Sequence, residues 1–122
     1  MSQENANLIV ALARVTHSAN GGAVTPTYGL AKGFTNNATF GAGAGQGGTH
    51  SALGVYVLVL DTPVDPNTCL AIVTASSTTI DQICNAQITN SGQTVTVTTS
   101  TGAGAASDAI DFACMVVQPP NG

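Results

Sequence analysis

The chain has 122 residues, the length of a single domain, and about two thirds of its unfolded surface is expected to be buried on folding. Only 7% of the residues are charged, the net charge is −4, and Arg14 and Lys32 are the only basic side chains besides two histidines. No basic patch able to neutralise several phosphates exists, which excludes nucleic-acid binding and disfavours anionic membranes. Apolar residues make up 43% and aromatic residues 4%, so the core must use Val, Ile, Leu, Ala and Thr, which favour strands.

The N-terminal segment carries Glu4 where a secretory signal needs a base, and the apolar run 8–13 is too short for a signal core. We therefore expect synthesis in the cytosol without Sec export, and no stretch is long enough to cross a bilayer. Residues 1–7 are expected to form an arm that pairs its backbone with the sheet edge of a neighbouring protein. The alternative is an arm folded back on its own domain.

The first half of the chain predicts few strands. Residues 8–16 are apolar and β-branched enough for a strand, and the segment 18–22 that follows is a turn cluster. Short strands are predicted near Tyr28 and over residues 34–40. The run GAGAGQGG at residues 41–48 predicts a Gly-rich loop, because its backbone freedom makes a fixed conformation costly.

The second half shows a clearer pattern. Residues 55–60 form a continuous apolar run that needs cover on both faces, and residues 69–74 repeat it after a Pro-containing turn. Residues 80–89 predict a weaker strand, and Asn90-Ser91-Gly92 predicts a tight turn.

The last two predicted strands show which side chains face the core. Alternation over residues 93–99 directs Val95 and Val97 inward and the threonines at 94, 96 and 98 outward. Residues 109–117 place one alternating set on a single face, namely Ile110, Phe112, Cys114 and Val116. Seven or eight short strands without a helical period predict an all-β protein, a single antiparallel β-sandwich or jelly-roll-like domain over residues 8–122.

The residues most often used in chemistry do not form a recognisable site. The stretch 43–48 matches G-x-G-x-x-G. A dinucleotide site also needs a preceding strand, a following helix and an acid about 20 residues on, and the sequence predicts none of these. His17 and His50 have no Asp, Cys or Ser at a triad or ligand spacing, so both are interpreted as surface or loop histidines. Asn37 begins a glycosylation sequon that should stay unmodified without export.

Acidic and thiol side chains also have simpler explanations. Asp61, Asp65 and Asn67 offer oxygen ligands for calcium, but in D-T-P-V-D-P-N they are the residues that turns use to bond their own backbone. Asp108 and Asp111 face opposite ways in a strand and make a poor acid/base pair. The cysteines are interpreted as buried free thiols, since three cannot all pair within one chain and no zinc spacing occurs; they are Cys69, Cys84 and Cys114. We predict no catalytic, cofactor-binding or metal-binding residue, and no cofactor.

From Gly54 onward the motifs follow a recognisable order. They are G-V-Y-V-L-V-L-D, a Pro-containing turn with C-L-A-I-V-T, then T-V-T-V-T-T, a Gly/Ala turn, and D-A-I-D-F-A-C-M-V-V. This order resembles a small β-sandwich module found at the ends of phage tail fibres and in bacterial surface proteins, over a little more than half of the chain. The resemblance implies a virion or fibre component, often trimeric, with no catalytic residues to carry over. The first 50 or so residues lack coiled-coil heptads and collagen-like repeats. That favours a compact head-decoration, spike or tail-attached protein over a long fibre.

Three classes of function are therefore compared. The first is a non-enzymatic structural virion protein, expected to be a homo-trimer that packs against capsid or tail proteins. The second is a receptor- or glycan-binding knob of a phage fibre or bacterial surface appendage, which calls for exposed aromatic side chains that this chain scarcely has. A small hydrolase ranks last, because neither a nucleophile nor its base is recognisable. A bacterial surface or fibre subunit remains open.

Overall fold

The protein is an antiparallel β-sandwich, as the sequence predicts. A computed structural model describes residues 8–17, 26–35, 48–52, 54–75, 82–105 and 111–119. Within these residues the strands are β1 Leu8–His17, β2 Pro26–Lys32, β3 Gly48–Ala52, β4 Val55–Val59, β5 Leu70–Ala75, β6 Gln82–Thr89, β7 Thr94–Thr101 and β8 Phe112–Gln118. A 3-10 turn over Asn90–Gly92 joins β6 to β7, and its first two residues have positive φ angles of 52° and 54°. The tight turn predicted there is present.

The eight strands form two four-stranded sheets. The first sheet has the order β2-β1-β8-β5 and the second has the order β3-β4-β7-β6, with every neighbouring pair antiparallel. The edge strands β5 and β6 belong to different sheets but lie side by side, and Phe34 bridges to Leu60. Two stacked four-stranded sheets are the architecture that sandwiches and jelly rolls share.

The core lies between the sheets and is built from aliphatic side chains around one aromatic pair. Tyr56 of β4 and Phe112 of β8 meet edge to face, with ring centroids 5.1 Å apart and planes at 64°. Around them pack the other largest fully buried side chains, Phe34, Leu58, Val15, Val95, Val97, Val116, Thr99 and Cys114. Val, Leu and Ala fill much of the core, as composition predicts, but its three largest side chains are aromatic, two cysteines join it, and no Ile is among its buried members in the described residues.

Strand β7 follows the predicted alternation. Val95 and Val97 are fully buried in the core, and Thr98 is exposed. Thr94 and Thr96 also face away from the core, because both bond the hydroxyl of Thr89 on the neighbouring strand, at 2.7 and 2.9 Å. This contact buries Thr94 although it lies on the outer face.

Strand β4 differs from its prediction in one respect. Its inward side chains Tyr56 and Leu58 are fully buried, but those of Val55, Val57 and Val59 on the other face are only half-buried. Within a single copy, cover on both faces is therefore incomplete.

Two boundaries differ from the sequence predictions. Gly48 was assigned to the Gly-rich loop, but it begins β3 and pairs with Leu58, because backbone pairing needs no β-forming side chain. Phe34, predicted to begin a strand, makes only a single bridge. Other predictions lie outside the described residues, namely those on residues 1–7, 18–22, 36–47 and 106–110.

We expect Val97→Asp to prevent folding and Thr98→Asp, its neighbour on the opposite face, to leave the fold intact. A carboxylate at position 97 would be buried without a partner, which costs several kcal/mol in a domain whose total stability is about 5–15 kcal/mol. Circular dichroism and thermal melting of the two variants check this. Equal melting temperatures for both variants would show that the register is wrong.

Candidate functional site

The residues singled out in the sequence are not brought together into a catalytic or metal site. Asp65 Oδ1 accepts a hydrogen bond from the backbone N of Asn67 at 2.9 Å, the turn interaction that the sequence suggested for this segment. Among the described residues no group of three His, Cys, Asp or Glu side chains is placed to hold a metal ion. His17 lies in β1 and His50 in β3, and their side chains are not among those described. The G-x-G-x-x-G stretch lies outside the described residues except for Gly48.

The three cysteines are free thiols. Cys69 and Cys114 are buried, whereas Cys84 is half-buried. Burial raises the pKa of the Cys114 thiol to about 12 and also raises the pKa of Cys84. Because the thiolate is the nucleophilic form, neither cysteine is activated for catalysis or redox exchange.

A pocket of about 450 Å³ opens at one end of the sandwich, and we call it the end pocket. Its floor is apolar and its rim carries two carboxylates and two hydroxyls. The lining residues are Val10, Gly33, Leu60, Asp61, Thr62, Pro63, Val64, Asp65, Thr68, Cys69 and Gln118. The volume falls within the range of small-molecule sites, and no Lys or Arg lines it.

Backbone hydrogen bonds fix the loop that forms the rim of the end pocket. The N–H of Asp61 donates to the Gly33 carbonyl and that of Val64 donates to the Gly92 carbonyl, both at 2.9 Å. The N–H groups of Thr68 and Cys69 donate to the Asp65 carbonyl at 3.2 and 3.0 Å. The pocket is therefore built into the fold, since its loop is tied to segments far away in the sequence.

The outer face of the first sheet is apolar. The pairing of β1, β8 and β5 lines up three rows of side chains on this face, Ile9–Val117–Leu70, Leu12–Met115–Ile72 and Arg14–Ala113–Thr74. Ile9 and Leu70 are more than half exposed and Ile72 nearly so, at 57%, 56% and 46%. This surface, the apolar face below, carries three of the five large hydrophobic side chains that are exposed among the described residues.

A β-bulge in β1 is needed to build that face. The register between β1 and β8 shifts between Ile9 and Ala11, so that Ile9 pairs with Val117 and Ala11 with Val116. The extra residue, Val10, packs against the core at the end pocket. Without the bulge, strict alternation would point Ile9 into the core, and the first row of the apolar face would be incomplete.

The outer face of the second sheet has an uncharged polar surface on β6 and β7, beside the half-buried valines of β4 and the exposed Ile83. Thr96 and Thr98 of β7 lie beside Asn85 and Gln87 of β6 and line a groove of about 280 Å³. Hydroxyl and amide groups dominate this surface, which we call the polar face. The two outer faces of the sandwich thus differ in chemistry, because four of the five large hydrophobic side chains that are exposed among the described residues lie in β1 or β5.

No family model, no curated protein and no solved structure matches the chain. Within the described residues, no helix has the length and apolar character needed to cross a bilayer.

Sequence reasoning missed both the apolar face and the end pocket. Alternation along residues 70–75 contained a signal, because one set of its side chains is Leu70, Ile72 and Thr74 while the other is Ala71, Val73 and Ala75. The smaller set faces the core and the larger set faces out, the reverse of the usual pattern. The end pocket had no local signal, because its lining comes from separate parts of the chain.

We expect Gly92→Ala to destabilise the fold and the rim of the end pocket far more than Gly104→Ala. Both glycines have positive φ, at +90° and +88°, which costs a side chain about 1–2 kcal/mol. A Cβ at position 92 would also lie 1.7 Å from the Val64 carbonyl oxygen, whereas one at position 104 meets nothing within 4 Å. Thermal melting of both variants separates the cost of the steric clash at position 92 from the cost of a side chain at positive φ, which both variants share. A similar loss of stability in both would contradict the close approach of the Val64 segment.

At pH 8 we expect a thiol reagent such as iodoacetamide to modify Cys84 before Cys114 in the folded protein. Cys114 is buried and its raised pKa, about 12, leaves almost no thiolate at that pH. In guanidinium all three cysteines should react at similar rates. Peptide mass mapping over time gives the order, and labelling of Cys114 as fast as Cys84 in the folded protein would contradict this burial.

Proposed function

We propose that this protein is a non-enzymatic structural protein that works by packing against copies of itself and against other proteins of a virion. The observation that carries the proposal is the apolar face, where Ile9, Leu70 and Ile72 stand exposed beside Leu12 and Met115. Contiguous apolar patches on a folded surface mark contacts with other proteins. The low charge of the chain adds to this, because little repulsion keeps copies apart.

The virion assignment comes from the resemblance of residues 54–117 to fibre-tip sandwich modules. A small sandwich whose main surface feature is the apolar face suits the role of a head-decoration, spike or tail-attached component. A homo-trimer is the expected assembly, in keeping with those modules. The half-buried valines of β4 add a second surface that association could cover, but the apolar face of the first sheet is the stronger reason.

A second function, binding of a receptor or glycan, is favoured by the polar face. The groove lined by Asn85, Gln87, Thr96 and Thr98 presents amide and hydroxyl groups that pair with sugar hydroxyls. None of its lining residues is aromatic, so it lacks the flat apolar side chains that usually cover a sugar ring. For this reason we place it second.

We expect the purified protein to be oligomeric, and Ile72→Asp to dissociate it without unfolding it. Ile72 is 46% exposed at the centre of the apolar face, so a carboxylate there stays solvated in the free chain but is buried in the oligomer. Light scattering gives the mass, and Gln87→Asp on the polar face is the matched control. The structural proposal would be refuted if the wild-type protein were monomeric at all working concentrations and absent from the purified particle. Binding of a glycan that Gln87→Asp abolishes would instead favour the second function.

A further inference from the structure

Both basic side chains other than histidine lie on one surface of the protein. Arg14 is exposed in the third row of the apolar face, and Lys32 is exposed on β2, where it pairs with Leu12 of the second row. Partners in an antiparallel pair point to the same side of a sheet, so Lys32 shares this face. Asp111 is half-buried and directly precedes β8, so it lies at the end of this face that carries Arg14. It already takes part in another interaction.

The end pocket has the complementary chemistry. Asp61 and Asp65 are exposed at its rim, its floor contains Val10, Leu60 and Val64, and no cation lines it. An apolar floor with a carboxylate rim suits a long basic side chain, since its aliphatic stem packs on apolar surface while its charged end reaches the carboxylates. A pocket of about 450 Å³ has ample room for a guanidinium and its stem.

Arg14 is not positioned to fill the pocket of its own chain. Val10, which lines the pocket, is four residues away along β1, or roughly 13 Å at the strand rise. Lys32 is closer, because it precedes the lining residue Gly33, yet its side chain lies on the apolar face and not in the pocket. The pocket of one copy is thus open to the Arg14 of another.

We propose that the end pocket of one copy receives Arg14 from the apolar face of the next copy. This inference rests on the proposed self-assembly and names the two surfaces that meet. The second copy is the partner that fits, because this chain has a net charge of −4 and its only Lys and Arg side chains lie on the face that docks. The two surfaces are different parts of one chain, so the contact is heterologous and closes into a ring if the rotation permits. A trimeric ring is one such closure.

A charge exchange between the two surfaces tests the proposal. The face variant is Arg14→Glu, and the pocket variant is Asp61→Lys with Asp65→Asn, in which the asparagine keeps the oxygen that accepts the Asn67 N–H. We expect each variant to raise the dissociation constant of the oligomer about tenfold or more, and the combined variant to recover most of that loss. Gln87→Glu, on the polar face, should leave the dissociation constant unchanged. Sedimentation velocity measures the association, and melting temperature confirms that each variant is folded.

The outcomes separate this proposal from the one on which it rests. A wild-type monomer refutes self-assembly and the pocket contact together. A wild-type oligomer that neither variant weakens leaves self-assembly intact and refutes the pocket contact. If Arg14→Glu weakens association but the pocket variant does not, Arg14 meets a different surface and the assignment to the pocket is wrong. Recovery in the combined variant supports the contact, because a merely structural effect of either change would not be reversed by the other.

Discussion

The edge-to-face contact between Tyr56 and Phe112 determines how the rest of the structure is arranged. These rings come from inner strands of opposite sheets, and the chain has only five aromatic residues in all. Most other core side chains are Val, Ala, Leu and Cys, which are too small to fix the spacing of two sheets about 10 Å apart. Because Phe112 points inward, alternation along β8 also directs Cys114 and Val116 inward. The same alternation places Ala113, Met115 and Val117 on the outer face. The core contact therefore fixes which side chains of β8 lie on the apolar face.

Much of the fold could be predicted because a strand with one buried side shows a period of two. Strand β7 is the clearest case, since Val95 and Val97 alternate with threonines and face the core as expected. Strand β3 was missed, because GTHSA has Thr49 as its one β-former, lacks apolar alternation and is held by backbone pairing to β4. The burial of Thr94 was missed for a related reason, because it depends on the hydroxyl of Thr89 across the turn.

The end pocket could not be predicted, and the apolar face only in part, because they depend on contacts between distant segments and on one irregularity. Val10, Gly33, Asp61 and Gln118 meet at the end pocket only after both sheets have formed. The bulge at Val10 leaves no mark that simple alternation detects, and yet it decides that Ile9 points outward. Residues such as Asp61 and Asp65 were noticed as turn formers, which Asp65 is. Their position on the rim of a pocket was not visible from the sequence.

A surface with few charges raises the question of how such a protein avoids indiscriminate association. Threonine, asparagine and glycine are polar or small, but an apolar face with no charges would associate with any similar patch. Two cations placed on that face, in a chain of net charge −4, restrict the partners it accepts. Association with a second apolar face in the same orientation would bring like charges together, whereas association with the acidic rim of the end pocket would pair opposite charges. In the proposed self-assembly, the cations add specificity and the apolar rows supply contact area.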